Sequence, residues 1–442
     1  MIRTPPPGPK SQAHLAYQSS HEGSTVSYSK GMPMAIQRAK GSTVEDVDGN
    51  LYIDFFGGAG VMNVGHSNPT VVQAAIKQIG ELTHALDFPT PSRQLLIEKL
   101  SALLPKTLSR LSFGGPTGSD AVESAVKLAK YNTKRQPIVA FEGSYHGMTT
   151  GALSLTSGRQ FREPFLPLAP EVHFVPYAYC YRCPFNRTPD KCNLECAEYL
   201  DHVLEDPHSG VGKPAAVIVE PMQGEGGSII PPRKFLPKVR QICDKHEVVM
   251  IADEVQVGFC RTGKMFAFEH TETIPDVVTM SKALGGLGLP ISGIAYKEEL
   301  NTWPAAQHIG TFRGNVVAYA AGAAALDFMV SQNLADHALK LGERMLSSLK
   351  EWEKTSRVVG DVRGKGLMLG VEFVKDKATK EPWAEGARAV RSACHRRGLL
   401  IEIGGHYNHV ARFLPPLVLT DELAAKGLAI FMDSVQEVER LL

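Results

Sequence analysis

No stretch of this sequence approaches the roughly 20 apolar residues of a membrane span. Its opening, MIRTPPPGPKSQAH, carries a basic residue but lacks the apolar core of a signal peptide. Charge of one sign is missing too. The net charge at pH 7 is +1, too little for the basic field that nucleic acids or anionic membranes require. No nucleic-acid or membrane partner is therefore expected, and the expected location is cytoplasmic. Seven cysteines, an odd number, argue against a full disulfide framework. There is no internal repeat, and the only low-complexity tract is the proline-marked N-terminal arm, expected to be poorly ordered.

What is present reads as an ordinary globular chain, 43% hydrophobic and 21% charged. Its 442 residues exceed what one hydrophobic core usually spans, so two or three domains are expected. The informative stretch runs from Glu247 to Gly286. One apolar run, Val248–Ala252, ends on Asp253; a second, Pro275–Met280, ends on Ser281, Lys282 and a glycine-rich turn. Such runs read as strands buried on both faces of a parallel sheet. Ligands collect beyond the carboxyl ends of these strands, so the acid and the amine are candidates for one site. A lysine to form a Schiff base and a carboxylate to keep a pyridine nitrogen protonated are what a pyridoxal phosphate enzyme needs. A solvated lysine and an acidic helix cap would look the same.

Other strand ends carry chemistry as well. LSFGGPTGSDAVE leads an apolar run into glycines and a helix with Val122, Ala125, Val126 and Ala129 on one face. Free N–H groups and the helix dipole at such a turn suit a phosphate, with Ser119 adding a hydroxyl or acting only as a cap. It is neither a Walker loop nor GxGxxG. The run Ile138–Phe141 ends in Glu142–Gly143–Ser144–Tyr145–His146–Gly147, where an aromatic between glycines can stack on a planar group or pack on the core. The run Ala215–Val219 ends in EPMQGEGG, whose Glu220 and Glu225 are expected from position alone to be solvated. Buried strands alternating with helical patterns predict a doubly wound α/β domain. Asp48–Gly49–Asn50 predicts a hairpin, and the spacing of Val71, Val72, Ala75, Ile76 and Ile79 predicts a helix over 69–82. The C-terminal third reads as an α+β domain, with Arg412 in a strand running into Pro415–Pro416. Four cysteines cluster in YCYRCPFNRTPDKCNLEC. Cys180, Cys183, Cys192 and Cys196 could close a zinc tetrahedron or simply pack in a surface insertion; no metal is assigned to them.

The ordered set GPTGSDAVE, FEGSYHG, EPMQGEGG, ADEVQVGFCRTGK, MSKALGG, GTFRGN and RFLPPL resembles the class III, ω-type branch of the fold-type I pyridoxal phosphate aminotransferases, from about Ile36 to the C-terminus. The resemblance implies a large domain with a mostly parallel, seven-stranded type of sheet flanked by helices, and a smaller α+β domain drawn from both chain ends. The corresponding division is 1–75, 76–330 and 331–442, with the cysteine insertion at 180–196. It implies pyridoxal 5′-phosphate as cofactor, with Lys282 as its Schiff-base lysine and Asp253 on the pyridine nitrogen. Gln256 would meet the phenolic oxygen, Tyr145 would stack on the ring beside His146, and Gly118 and Ser119 would hold the phosphate. Thr311 would come from a neighbouring subunit, which makes a homodimer the minimum, a tetramer remaining open, with the site at the subunit interface. Glu225 and Arg412 would bind substrate, pairing with each other until Arg412 takes a carboxylate.

Within the class, GPTGSDAVE and TFRGN look most like the diaminobutyrate–2-oxoglutarate group. The implied reaction moves the terminal amino group of a diamino acid, L-2,4-diaminobutyrate by preference, to 2-oxoglutarate, giving aspartate 4-semialdehyde and glutamate. Ornithine, lysine and 4-aminobutyrate remain alternative donors, and an amino-acid racemase or epimerase is the alternative on the same scaffold.

Overall fold

A turn built by Asp48, Gly49 and Asn50 organises the first part of the chain, which a computed structural model describes over residues 1–440. β1 (Ile36–Lys40), β2 (Thr43–Asp46) and β3 (Leu51–Asp54) form an antiparallel ladder, and Gly49 takes the positive φ that the turn demands. The N-terminal arm differs from expectation. It forms a helix over Pro9–His21, and the same turn ties it down: Asp48 accepts from the N–H groups of Lys10 and Ser11, and Asn50 accepts from Arg3 and Thr4. The turn's spare oxygens satisfy backbone donors that would otherwise keep the arm in water.

The apolar runs assemble into one seven-stranded sheet. Its strands are β4 (Arg110–Phe113), β5 (Ile138–Phe141), β6 (Val172–Val175), β7 (Ala216–Val219), β8 (Val249–Asp253), β9 (Val277–Met280) and β10 (Gly293–Tyr296). Their order is β4-β10-β9-β8-β7-β5-β6, parallel from β9 to β6, with β10 antiparallel to both of its neighbours. Alternate residues feed two cores. Ile138, Ala140, Ile218 and Ile251 pack with helix Gly118–Thr133, whereas Val139, Phe141, Val217 and Met250 pack on the other side with Phe235, Val239 and Leu326. That period of two is why the strands read as continuous apolar runs.

The C-terminal third adds β11 (Val359–Lys365), β12 (Met368–Phe373), β13 (Leu399–Leu400), β14 (Glu402–Gly404) and β15 (Val410–Phe413), framed by helices Leu334–Glu353, Ala384–Arg396 and Asp421–Glu439. β13 pairs in parallel with β3, so both chain ends share one sheet, and a second sheet runs β11-β12-β15-β14. Helix Pro69–Glu81 packs on helix Val316–Ser331, so the domain boundary expected at residue 75 falls inside one element. Fully buried Arg261 joins the parts. Its guanidinium donates to the carbonyls of Leu367 and Pro415 and to Asn63 Oδ1. Burial pulls it down to about 9. Among the described residues no helix is long and apolar enough to cross a membrane.

Helix Leu334–Glu353 crosses the β11–β12 turn through Gly342, where an added Cβ would lie 1.8 Å from the carbonyl oxygen of Gly366. Alanine is the better helix former by about 1 kcal/mol, yet overpacking against backbone costs about 1–3 kcal/mol. Gly342→Ala is therefore expected to lower stability, seen as a fall of several degrees in Tm; an unchanged or higher Tm would contradict this packing.

Candidate active site

The register between β8 and β9 sets Asp253 opposite Thr279, three residues before Lys282. Thr279 Oγ1 donates to Asp253 Oδ1 over 3.0 Å, and the Val255 N–H donates to the same oxygen over 3.0 Å. The other oxygen lies 2.7 Å from His146 Nδ1. Lys282 sits at positive φ where the strand ends, and it forms no hydrogen bond or ion pair among the described residues. Burial holds its ammonium below the usual lysine value; Glu225 and Asp253 oppose this, and Arg412 adds to it. An amine with no partner in a desolvated cavity is poised to react.

A cavity of ≈ 200 Å³ collects most of the predicted site: Gly118, Ser119, Tyr145, His146, Glu225, Asp253, Gln256 and Lys282 all line it. Arg412 reaches it through its partners. Its Nη2 lies 2.6 Å from Glu225 Oε1, and its Nη1 donates to Gln256 Oε1 over 3.2 Å. Arg412 pulls the Glu225 carboxyl below its usual value against the effect of burial. Thr311 is the exception. It lies on an exposed segment beside Phe312 and does not line the cavity.

Two expectations need correction. Glu220 is not solvated, and Glu225, 28% exposed, is paired with Arg412 rather than left to water. Glu220 is buried and accepts from the N–H groups of Tyr145 and Gly224, and burial raises it to about 7. Loop position alone suggested water; the chain folds the glycine-rich loop inward instead, and Arg363 clamps it by donating to the carbonyl of Gly227 at 3.0 and 2.8 Å. Ser119 is not the helix cap either. The helix starts at Gly118, Asp120 accepts from the N–H and hydroxyl of Thr117, and Ser119 Oγ is left to accept from the Met148 N–H.

The cysteine insertion gathers all four thiols around one small cavity of ≈ 20 Å³, yet no three sulfurs lie within 4.8 Å of one another among the described residues. Ligands ~2.3 Å from a tetrahedral zinc would stand about 3.8 Å apart, so the insertion as folded is not a formed zinc site. Burial pushes the Cys180 thiol up to about 11 and Cys196 up to about 12. Neighbouring Tyr179 and Arg182 anchor the insertion to Glu372 of β12. Sequence reasoning gave Arg363 and Glu372 no role and read Glu220 as solvated; burial of charge was the signal, and it is not legible in a linear chain.

These residues fit pyridoxal phosphate. The helix N-terminus at Gly118 suits a phosphate, His146 Nε2 is buried without a partner, and Lys282 is unpaired opposite a carboxylate. Close approach matters at Gly147, which has φ +127 and where a Cβ would meet Ser119 Oγ at 2.1 Å. Gly147→Ala is expected to lower retention of pyridoxal phosphate about tenfold or more, measured by equilibrium dialysis; full retention would show that the cradle lies elsewhere.

Comparison with known proteins agrees with this geometry. The family model described as Aminotransferase class-III matches residues 25–435. A diaminobutyrate–2-oxoglutarate aminotransferase from Haemophilus influenzae is 41% identical, over 98% of this chain and 96% of that one. A leucine/methionine racemase from Thermococcus litoralis is 37% identical, over 95% and 93%. A solved Bacillus anthracis aminotransferase superposes with a TM-score of 0.88 at 30% identity, covering 97% of this chain and 99% of its own. Both the amine opposed by a carboxylate across two parallel strands and the full-length match lead to one conclusion: the chain belongs to the class-III aminotransferases, which are pyridoxal-phosphate-dependent transaminases.

Proposed function

We propose that this transaminase takes the terminal amino group of L-2,4-diaminobutyrate and passes it to 2-oxoglutarate, yielding aspartate 4-semialdehyde and glutamate. The observation that carries this reading is the Glu225–Arg412 pair at the cavity wall. Both substrates must occupy one place in turn, and only the acceptor brings a carboxylate to the reacting carbon. With the diamine bound, Glu225 occupies Arg412. With 2-oxoglutarate bound, Arg412 turns its planar fork to the α-carboxylate, where a bidentate pair fixes orientation. The name borne by the Haemophilus relative supports the choice of donor.

When bound, the cofactor supplies an electron sink for the substrate carbon that loses its proton. The chain supplies the rest. Asp253, held by Thr279 and His146, offers a negative charge to the ring nitrogen. Lys282, its ammonium disfavoured by burial, carries the proton on Nζ as a general base and then as a general acid. Tyr145 would face the ring, Gln256 its phenolic oxygen, and Gly118 and Ser119 the phosphate.

Thr311 makes sense in a homodimer, where it completes the partner's phosphate site. Exposed apolar side chains on the same segment favour such an interface: Ile309 is 71% and Phe312 72% exposed. We place the enzyme in the cytoplasm.

Lys282→Ala is expected to abolish glutamate formation, by about a thousandfold or more, and the imine absorbance with it; either surviving at wild-type level would refute the assignment. Glu225→Ala leaves Arg412 unopposed, so KM for 2-oxoglutarate should fall and KM for the diamine rise, changing their ratio about tenfold. Steady-state kinetics with both substrates reads this directly, and an unchanged ratio would dismiss the exchange.

A further inference from the structure

One buried carboxylate near the site has no close ion-pair partner among the described residues. Glu402 opens β14 and stands directly opposite Arg412 in the β14–β15 pairing, so the two side chains leave the same face of the sheet. It is 9% exposed, its Oε2 has no hydrogen-bond partner, and it forms no ion pair among the described residues. Arg412 does not neutralise it, because that guanidinium is committed to Glu225 and Gln256. Arg391, on helix Ala384–Arg396, packs against Gly31 and makes no ion pair with Glu402, acting on it only at longer range. Burial disfavours an ionised carboxylate so placed, and a cation in contact with it would offset that cost.

Its surroundings show where that cation would come from. Glu402 lines an outer chamber of ≈ 810 Å³ together with Tyr28, Tyr145 and Glu225. Tyr145 and Glu225 also line the inner cavity at Lys282, so the chamber is its continuation toward solvent. A donor whose terminal amine sits at Lys282 extends its other end into this chamber. Gly404, next on the same face, leaves room for Arg412: a Cβ there would meet Arg412 Nε at 2.7 Å.

We propose that Glu402 is the subsite for a second ammonium group on the amino donor, pairing with the α-ammonium of a diamino acid while its terminal amine reacts. This rests on the diamino-acid reading given above and adds the residue that distinguishes such donors from ω-amino acids with a single amine. Burial raises the Glu402 carboxyl to about 7, with Arg412 and Arg391 opposing and Glu225 reinforcing the rise. A substrate ammonium would favour its charged form, whereas a hydrogen in the same place would offer no such partner.

Two four-carbon donors isolate the effect. L-2,4-Diaminobutyrate and 4-aminobutyrate share the terminal amine and the carboxylate and differ in the α-ammonium. In Glu402→Gln, KM for L-2,4-diaminobutyrate should rise about tenfold or more, the scale of a lost charged partner, with kcat within about twofold. The kcat/KM for 4-aminobutyrate should hold or improve. Glu402→Asp, which keeps the charge, should retain preference for the diamino acid. Equal losses with both donors would make Glu402 a structural support and overturn the proposal, as would no change with either. If the wild type prefers L-2,4-diaminobutyrate and Glu402→Gln does not alter that, the subsite alone is wrong. If the wild type accepts 4-aminobutyrate and no diamino acid, the donor reading falls and the subsite with it.

Discussion

The register between β8 and β9 is the constraint on which the site depends. Parallel pairing sets Asp253 against Thr279, and the chain reaches Lys282 three residues later. A slip of one residue would turn Asp253 to the opposite face of the sheet, away from His146 and the cavity. Burial of both strands on both faces prevents such a slip, because it would bury polar side chains and expose none of the right ones. The same burial desolvates Lys282. One arrangement of apolar residues therefore places the acid and the amine and also tunes the amine.

Charge in the site is balanced locally. Arg412 is fully buried against Glu225, Asp253 lies against His146, and Lys282 has no partner of its own. In low dielectric each unmatched charge is costly, so the ones left unmatched are where chemistry or a ligand belongs. A second layer holds the first. Glu372, carried by β12, collects Tyr179, Arg182, Arg363 and His409, and Arg363 in turn clamps the loop that carries Glu225. Nearby Arg363 and His409 hold Glu372 ionised although it is buried. The cysteine insertion reaches this layer through Tyr179 and Arg182, which makes it a brace for the substrate loop.

Much of this was legible in the linear chain where local chemistry repeats at short range. The apolar runs predict the sheet strands, Asp48–Gly49–Asn50 predicts the β2–β3 turn, and the spacing after Pro69 predicts that helix. The glycine-rich turn at Gly114–Gly118 predicts the start of the helix that follows it. Less legible were features made by residues far apart in sequence. The N-terminal arm reads as loose because its prolines are local, while its anchors, Asp48 and Asn50, are some 40 residues away. Glu220 reads as solvated because only folding shows that Tyr145 and Gly224 direct N–H groups at it. The apolar positions Ile76 and Ile79 fit a helix but face outward, since periodicity reports a face and not what covers it.

By itself, then, the sequence determined the element types, the strand-end placement of Asp253 and Lys282, and the motif order that marks the class, because these follow from side-chain periodicity and from residue types with one chemical use. Tertiary structure alone decided which charges meet. Glu225 finds Arg412 across 187 positions and Glu402 finds no ion-pair partner among the described residues, and that difference arises from strand pairing and burial, which no local pattern encodes.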